Sequence, residues 1–227
     1  MLSDELFDLF RKDVVDTVEP YGWSDDEIYA YMNDAYTMFV RLIGGVPDYL
    51  TEEVCFVTAT KDEQYSDLHP KILFIRQAQL DPNGEIVKVI NAQDTETLHD
   101  EDFGLLRRIG MNTNKGKVKF LVVGLQDDVI RWINVPDQDY AVHLLVERLP
   151  LEDIVGGGQE FVDVKSQHHF HFLKWMKAQA YSKQDAETYN KAKADEEAAK
   201  FVAYCEQAKR EKEKYKHKVR VVRYGGI

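Results

Sequence analysis

The sequence predicts an α+β protein: a discontinuous helical bundle with an inserted antiparallel β domain and an extended C-terminal arm. Three observations carry that expectation. Apolar residues recur at helical spacing from Leu2 to Leu42 and again from His169 to Ala208. Between Leu50 and Pro150 the period shortens to that of strands, with no helical stretch between neighbouring runs, which favours antiparallel pairing over βαβ units. After Lys214 the pattern changes again: Lys218-Val219-Arg220-Val221 alternates at period two and Gly225-Gly226 follows. The expected organisation is a helical domain from 1–50 and 160–214, a β-rich insert at 51–159 and an arm at 215–227.

The first helix is expected over Ser3–Asp16, with Leu2, Leu6, Leu9, Phe10 and Val14 as its apolar stripe. Pro20 and Gly22 break the chain. Ser24 with Glu27 three residues on makes a capping box for the second helix, and Trp23 before the cap can staple onto Ile28. Ile28, Met32, Ala35, Phe39 and Leu42 carry the stripe to a stop at Gly44-Gly45. Six β-prone runs follow: Val54–Val57, Ile72–Ile75, Ile86–Ile90, Val118–Val123, Val129–Ile133 and Val142–Val146. Asp81-Pro82-Asn83-Gly84 is a turn signal between the second and third. Residues 94–116 give no clear pattern. His169, Phe172, Leu173, Met176 and Ala180 then share a helical face, Ser182 with Asp185 can cap a further helix, and Ala194, Ala198, Phe201, Cys205 and Ala208 form a stripe that can reach Lys214.

The chain has 227 residues, 44% hydrophobic and 30% charged, which excludes a disordered or collagen-like polypeptide. Twenty-nine basic against 40 acidic residues leave a net charge of 29 − 40 = −11, which argues against general nucleic-acid binding through net charge. The charge is segregated: Lys209–Arg223 holds eight basic residues against Glu211 and Glu213. No apolar run is long enough for a membrane span. Met1–Asp13 carries acids and no apolar core, so no signal peptide is expected. Cys55 and Cys205 lie far apart with no zinc spacing, which suits a reduced compartment.

Four groupings invite a chemical reading. His168, His169 and His171 could bind a transition metal, but 168 and 171 share one side of a helix, 169 points elsewhere and no fourth ligand is evident. Gly156-Gly157-Gly158 lacks the Gly-Lys-Ser/Thr of a phosphate loop and reads as a hinge. Asp25, Asp26 and Glu27 are explained by helix capping without a cation. Trp23, Tyr29, Tyr31, Tyr36, Trp132 and Tyr140 suit an interface or a core equally. No nucleophile–base signature is present, so the residues name no catalytic, cofactor or metal site. The basic, alternating arm suits strand addition to a partner sheet, where a solvated tail is the bland alternative.

Several segments together resemble the head-to-tail connector, or adaptor, proteins of short-tailed bacteriophages. Trp23-Ser24-Asp25-Asp26-Glu27-Ile28 with Asn33-Asp34-Ala35 and Arg41 is similar to the family's second helix. Ala180-Tyr181-Ser182-Lys183-Gln184-Asp185-Ala186-Glu187, before an Ala-rich helix, is similar to its late helix pair, with Gln184 interrupting the usual Ser-Lys-Asp. Arg223-Tyr224-Gly225-Gly226-Ile227 is similar to its ending. The resemblance implies a virion structural protein of the neck and tail, assembled in the host cytoplasm, and no enzyme. It implies a ring of copies, commonly a dodecamer, between the portal protein and a tail nozzle or tail tube, with DNA passing through without specific binding and no membrane partner. It also implies a portal interface at Tyr215, Lys216, Lys218, Val219, Arg220, Val221, Val222, Arg223, Tyr224, Gly225, Gly226 and Ile227. The other expectation is a nucleic-acid-binding packaging accessory protein that uses the basic arm.

Overall fold

The computed structural model describes residues 1–92, 114–184 and 189–216. The chain forms two compact units: Met1–Gly44 with the chain from Pro150 onward, and Gly45–Leu149. The borders thus fall at 44/45 and 149/150, where the sequence placed them at 50/51 and 159/160.

In the first unit, helix α1 spans Ser3–Asp13, α2 spans Asp25–Leu42, a single turn α4 spans Ser166–His169, α5 spans Phe172–Ser182 and α6 spans Lys191–Lys216. Val15, at φ 61, ends α1 short of the expected Asp16. The capping box forms: the Ser24 hydroxyl accepts from the Glu27 N–H, and the Glu27 carboxylate accepts from the Ser24 N–H at 2.9 Å. Trp23 is 5% exposed and meets Phe10 edge-on at 6.0 Å. Arg11 organises this corner. Its guanidinium donates to Asp16 at 2.7 Å, to the Trp23 carbonyl at 3.2 Å and to Asp25, and lies over the Tyr21 ring. The centre of the unit is aromatic. Phe172 lies 5.4 Å from Phe39, 5.2 Å from Phe161 and 5.9 Å from Tyr36, edge-on or tilted as ring quadrupoles prefer. Ser182 ends α5, its hydroxyl donating to the Gln179 carbonyl, and does not cap α6. Asn190 does that, its side chain accepting from the Lys193 N–H at 3.1 Å. Asp185 lies outside the described residues.

In the second unit, β1 spans Val46–Asp48, α3 Glu52–Cys55, β2 Phe56–Ala59, β3 Tyr65–Asp67, β4 Ile72–Leu80, β5 Glu85–Asn91, β6 Lys115–Gly116, β7 Phe120–Gln126, β8 Val129–Ile133, β9 Val135–Pro136 and β10 Tyr140–Arg148. Eight strands make one sheet in the order β1-β10-β4-β5-β7-β8-β3, with β2 beside β1 on the same edge of β10. The expected helical bundle with an antiparallel β insert is overturned. The molecule is a mixed α/β protein built around a large curled sheet, with few helices. That sheet is itself mixed, because β5 and β7 run parallel, Val89 opposite Leu121. A parallel pair needs a crossover of about a dozen residues or more. β5 ends at Asn91 and β7 begins at Phe120, far enough apart in the sequence for one. Val54 and Cys55, expected in a strand, form the turn α3.

The apolar runs are continuous where both faces are covered. Leu121 and Val122, neighbours in β7, are both fully buried; Val122 packs with Ile90 and Ile133 in a cluster of its own. The two ends of the unit pair with each other, Val46 opposite Arg148 and Asp48 opposite Val146. Gly45, at φ +85, enters this ladder so closely that a Cβ would stand 2.8 Å from the Glu147 Cβ. Asp48 and Arg148, each 8% exposed, form a buried ion pair. Asp48 also accepts from the N–H groups of Leu50 and Thr51 and, at 2.7 Å, from the Thr51 hydroxyl. Burial alone would raise the Asp48 pKa, but Arg148 and these donors outweigh it and lower it strongly. Glu147, fully buried, pairs with Arg76 at 2.6 Å.

Two stability measurements check this packing. Trp23→Ala should cost about 3–5 kcal/mol in denaturant unfolding. Trp23→Phe should cost far less, because the buried Trp23 Nε1 has no hydrogen-bond partner among the described residues. Arg148→Met should cost about 3–5 kcal/mol, since it leaves the Asp48 charge buried alone. Asp48 binds fewer protons folded than unfolded, so its contribution is complete above the ordinary carboxylate range and is lost as pH falls below it. The Arg148→Met penalty should therefore shrink in acid.

Candidate functional site

The segment that sequence reasoning singled out begins at the end of α6. That helix has 26 residues and would span about 39 Å. Its first five turns are held down by Ala194, Phe201, Cys205 and Ala208, all buried. Beyond Ala208 the face is lost: Lys209, Arg210, Glu211, Glu213 and Lys214 are exposed. Lys212 reaches back, its ammonium 3.4 Å from the Gly44 carbonyl. The helix therefore presents a charged, solvent-facing end. It continues through Tyr215 and Lys216, which the sequence assigned to the extended arm. The other expected portal-interface residues, Lys218, Val219, Arg220, Val221, Val222, Arg223, Tyr224, Gly225, Gly226 and Ile227, lie outside the described residues.

The three histidines sit together but each is engaged elsewhere. His168 Nδ1 is 2.8 Å from the Tyr204 hydroxyl on α6. His169 is buried, with Nε2 2.7 Å from the Val164 carbonyl and Nδ1 3.2 Å from that of Met1. His171 stacks flat on Tyr204, ring centroids 3.3 Å apart and planes 14° from parallel. Among the described residues no three His, Cys, Asp or Glu side chains stand close enough to hold a metal ion. The arrangement is an aromatic contact between the α4–α5 corner and α6. Burial pushes the His171 pKa down to about 4, and the Lys174 ammonium and the His168 ring push the same way. Burial likewise lowers that of His168, against the pull of Glu211.

The remaining sequence candidates are structural. Asp25 pairs with Arg11, and Glu27 pairs with Lys183 at 2.8 Å, which together with the Ser24 N–H lowers its pKa. Gly156–Gly158 is no hinge between the units: it lies within the first and is clamped onto the start of α1. There the Ser3 hydroxyl donates to the Gly156 carbonyl, and the Gln159 side chain accepts from the N–H groups of Val155 and Gly156. The aromatic set does not form one surface. Trp23 and Tyr36 are core residues of the first unit, with Tyr29 against Phe7 and Tyr31 half-buried. Trp132 is fully buried in the second unit, and Tyr140 donates to Asp137 there.

Sequence reasoning missed an exposed stack on the second unit. The His143 ring lies between Tyr49, centroids 3.8 Å apart, and Phe56, 4.1 Å apart. Tyr49 comes from the turn after β1, Phe56 from β2 and His143 from β10, so no spacing in the chain signals it. The only hint was the place of His143 among the outward positions of an alternating run.

Protonating His171 would place a cation in a half-buried stack. Its folded pKa lies below the unfolded value of about 6.5, so the stability it permits is complete above that pH and falls as pH drops toward 4. Thermal melts taken from pH 7 downward should decline, and His171→Phe should flatten the decline. Comparison with known protein families returns no match, and no curated protein matches the chain.

Proposed function

We propose that this chain is a head-to-tail connector, or adaptor, of a short-tailed bacteriophage: a non-enzymatic virion protein of the neck. In this reading copies form a ring, commonly of twelve, between the portal and the tail nozzle or tube, and DNA passes through during ejection. The observation that carries it is the meeting of two segments that bear the resemblance. Lys183, from the second, pairs with Glu27 of the first at 2.8 Å and donates to the Gly22 carbonyl. The neighbouring motif residues serve the same junction. Asp34 accepts from Trp175 at 2.5 Å and from Gln179 at 2.8 Å, and the Asn33 amide pairs with the Ile154 backbone in both directions at 2.6 Å. These residue types share a physical task, tying α2 to α5 and to the chain that follows Pro150. The charged end of α6 supports a displayed docking element, with the portal as acceptor. A net charge of −11 suits a channel component from which phosphate is repelled.

The second reading, a packaging accessory protein that grips nucleic acid through its basic end, draws on the eight basic residues of Lys209–Arg223. One experiment separates them. Mixed with its portal ring, the protein should form a coaxial ring visible by electron microscopy, and deletion of 217–227 should abolish docking while leaving the thermal melt of the free chain unchanged. Docking of the truncated chain at full affinity would remove the arm from the interface. Tight DNA binding that weakens steeply with salt, without ring formation, would install the accessory reading instead.

A further inference from the structure

The curled sheet of the second unit is open along one line. Its terminal strand β3 comes next to β2, yet among the described residues no backbone hydrogen bond joins them. The Ser66 side chain spans the gap: its hydroxyl donates to the Thr58 carbonyl at 2.9 Å and accepts from the buried Trp132 Nε1 at 2.9 Å. Beside this pin lies a cleft of about 370 Å³. Three exposed carboxylates line it, Glu53 from α3, Glu63 from the β2–β3 turn and Asp67 from β3. None of the three forms an ion pair among the described residues, and of the lining side chains only His69 can carry positive charge. Phe56 and Tyr65, 42% and 52% exposed, flank the same cleft with apolar ring surface. The seam thus offers two strand edges not bonded to each other, three carboxylates without an ion pair among the described residues, and aromatic rings in one place, with the Arg131 guanidinium against the Tyr65 ring.

That combination matches an extended segment with basic side chains on one side and apolar ones on the other. The sequence holds the matching alternation of residue types, Lys218-Val219-Arg220-Val221, within the basic stretch Lys209–Arg223. We propose that the β2–β3 seam of one copy takes the basic C-terminal segment of a second copy. Lysine and arginine would meet Glu53, Glu63 and Asp67, and the valines would cover Phe56 and Tyr65. An arm-to-seam contact joins two different surfaces, so it propagates from copy to copy and can close a ring. The inference deepens the connector reading and rests on it only for the meeting of copies; in the assembly, portal and neighbour compete for the same segment.

Sedimentation of the full chain across the micromolar to millimolar range is the test. The wild-type protein should self-associate weakly, and added salt should suppress it. The double substitution Glu63→Lys and Asp67→Lys should weaken association about tenfold or more, as should Lys218→Glu with Arg220→Glu. Mixing the two variants should restore it, because each supplies the charge the other's partner surface now needs. The second variant leaves the seam untouched, so the test stands even if the first unfolds. As a control for net charge, Asp8→Lys with Glu19→Lys, two exposed positions on the other unit, should leave association unchanged. A wild-type chain that stays monomeric overturns the proposal. So does equal weakening by the control, or failure of the mixture to recover. Portal docking is measured in parallel and should survive the seam substitutions. If the wild-type chain does not dock, the connector reading fails while the seam result stands; if it docks normally but remains a monomer, the seam alone fails.

Discussion

The second unit depends on one buried ion pair. A unit inserted into a chain must begin and end at nearly the same place, and here Asp48 and Arg148 hold those ends together across the β1–β10 ladder. Taking two charges out of water is costly, and their attraction offsets the cost only when the remaining hydrogen-bonding capacity is met. Thr51 and the backbone N–H groups of Leu50 and Thr51 meet it for Asp48, and the Leu149 carbonyl accepts from Arg148. The same donors fix the turn that leads into α3 and β2, so the path of the chain toward the open seam follows from how one carboxylate is satisfied. Gly45 belongs to the same constraint, since any side chain there would collide with Glu147.

The first unit solves a different problem. Its core joins residues from both sides of the insertion, Tyr36 and Phe39 from α2 with Phe161 and Phe172 from the later chain. Contacts of such sequence separation form late and slow folding. Local devices prepare each side first. Arg11 and the Ser24 capping box set the angle between α1 and α2, and Ser3 with Gln159 fixes the glycine run beneath α1. The histidine stack on Tyr204 then carries α6 in a defined direction, which makes its charged end a presented feature of the fold.

These features bear on function through display. His168, His169 and His171 pack against Tyr204, Phe161 and Phe172, Asp25 pairs with Arg11, and Glu27 serves the cap of α2 and pairs with Lys183. What is left over is surface: the charged end of α6 on one unit, and the aromatic stack and acidic seam on the other. An acidic body with a basic end favours contacts between unlike surfaces over symmetric self-pairing, because like surfaces repel.

Local physics is what the sequence determined by itself. The start of α2 was legible in Ser24 and Glu27, because a capping box spans only four residues. The stripe Ala194, Phe201, Cys205 and Ala208 was legible because one face of one helix must be buried. The Asp81–Gly84 turn was legible because its two flanking strands are neighbours in the chain, and β4 and β5 do pair antiparallel. The tertiary structure decided everything that requires distant residues to meet. Parallel pairing of β5 with β7 depends on a crossover that carries no periodic signal, so the expected antiparallel insert was wrong. Short strands such as β1 and β3 have too few residues to show a period and exist because β10 and β8 offer them an edge. The Asp48–Arg148 pair, the Tyr49–His143–Phe56 stack and the β2–β3 seam each bring together residues from separate elements. Their chemistry arises from proximity in space, which no spacing along the chain encodes.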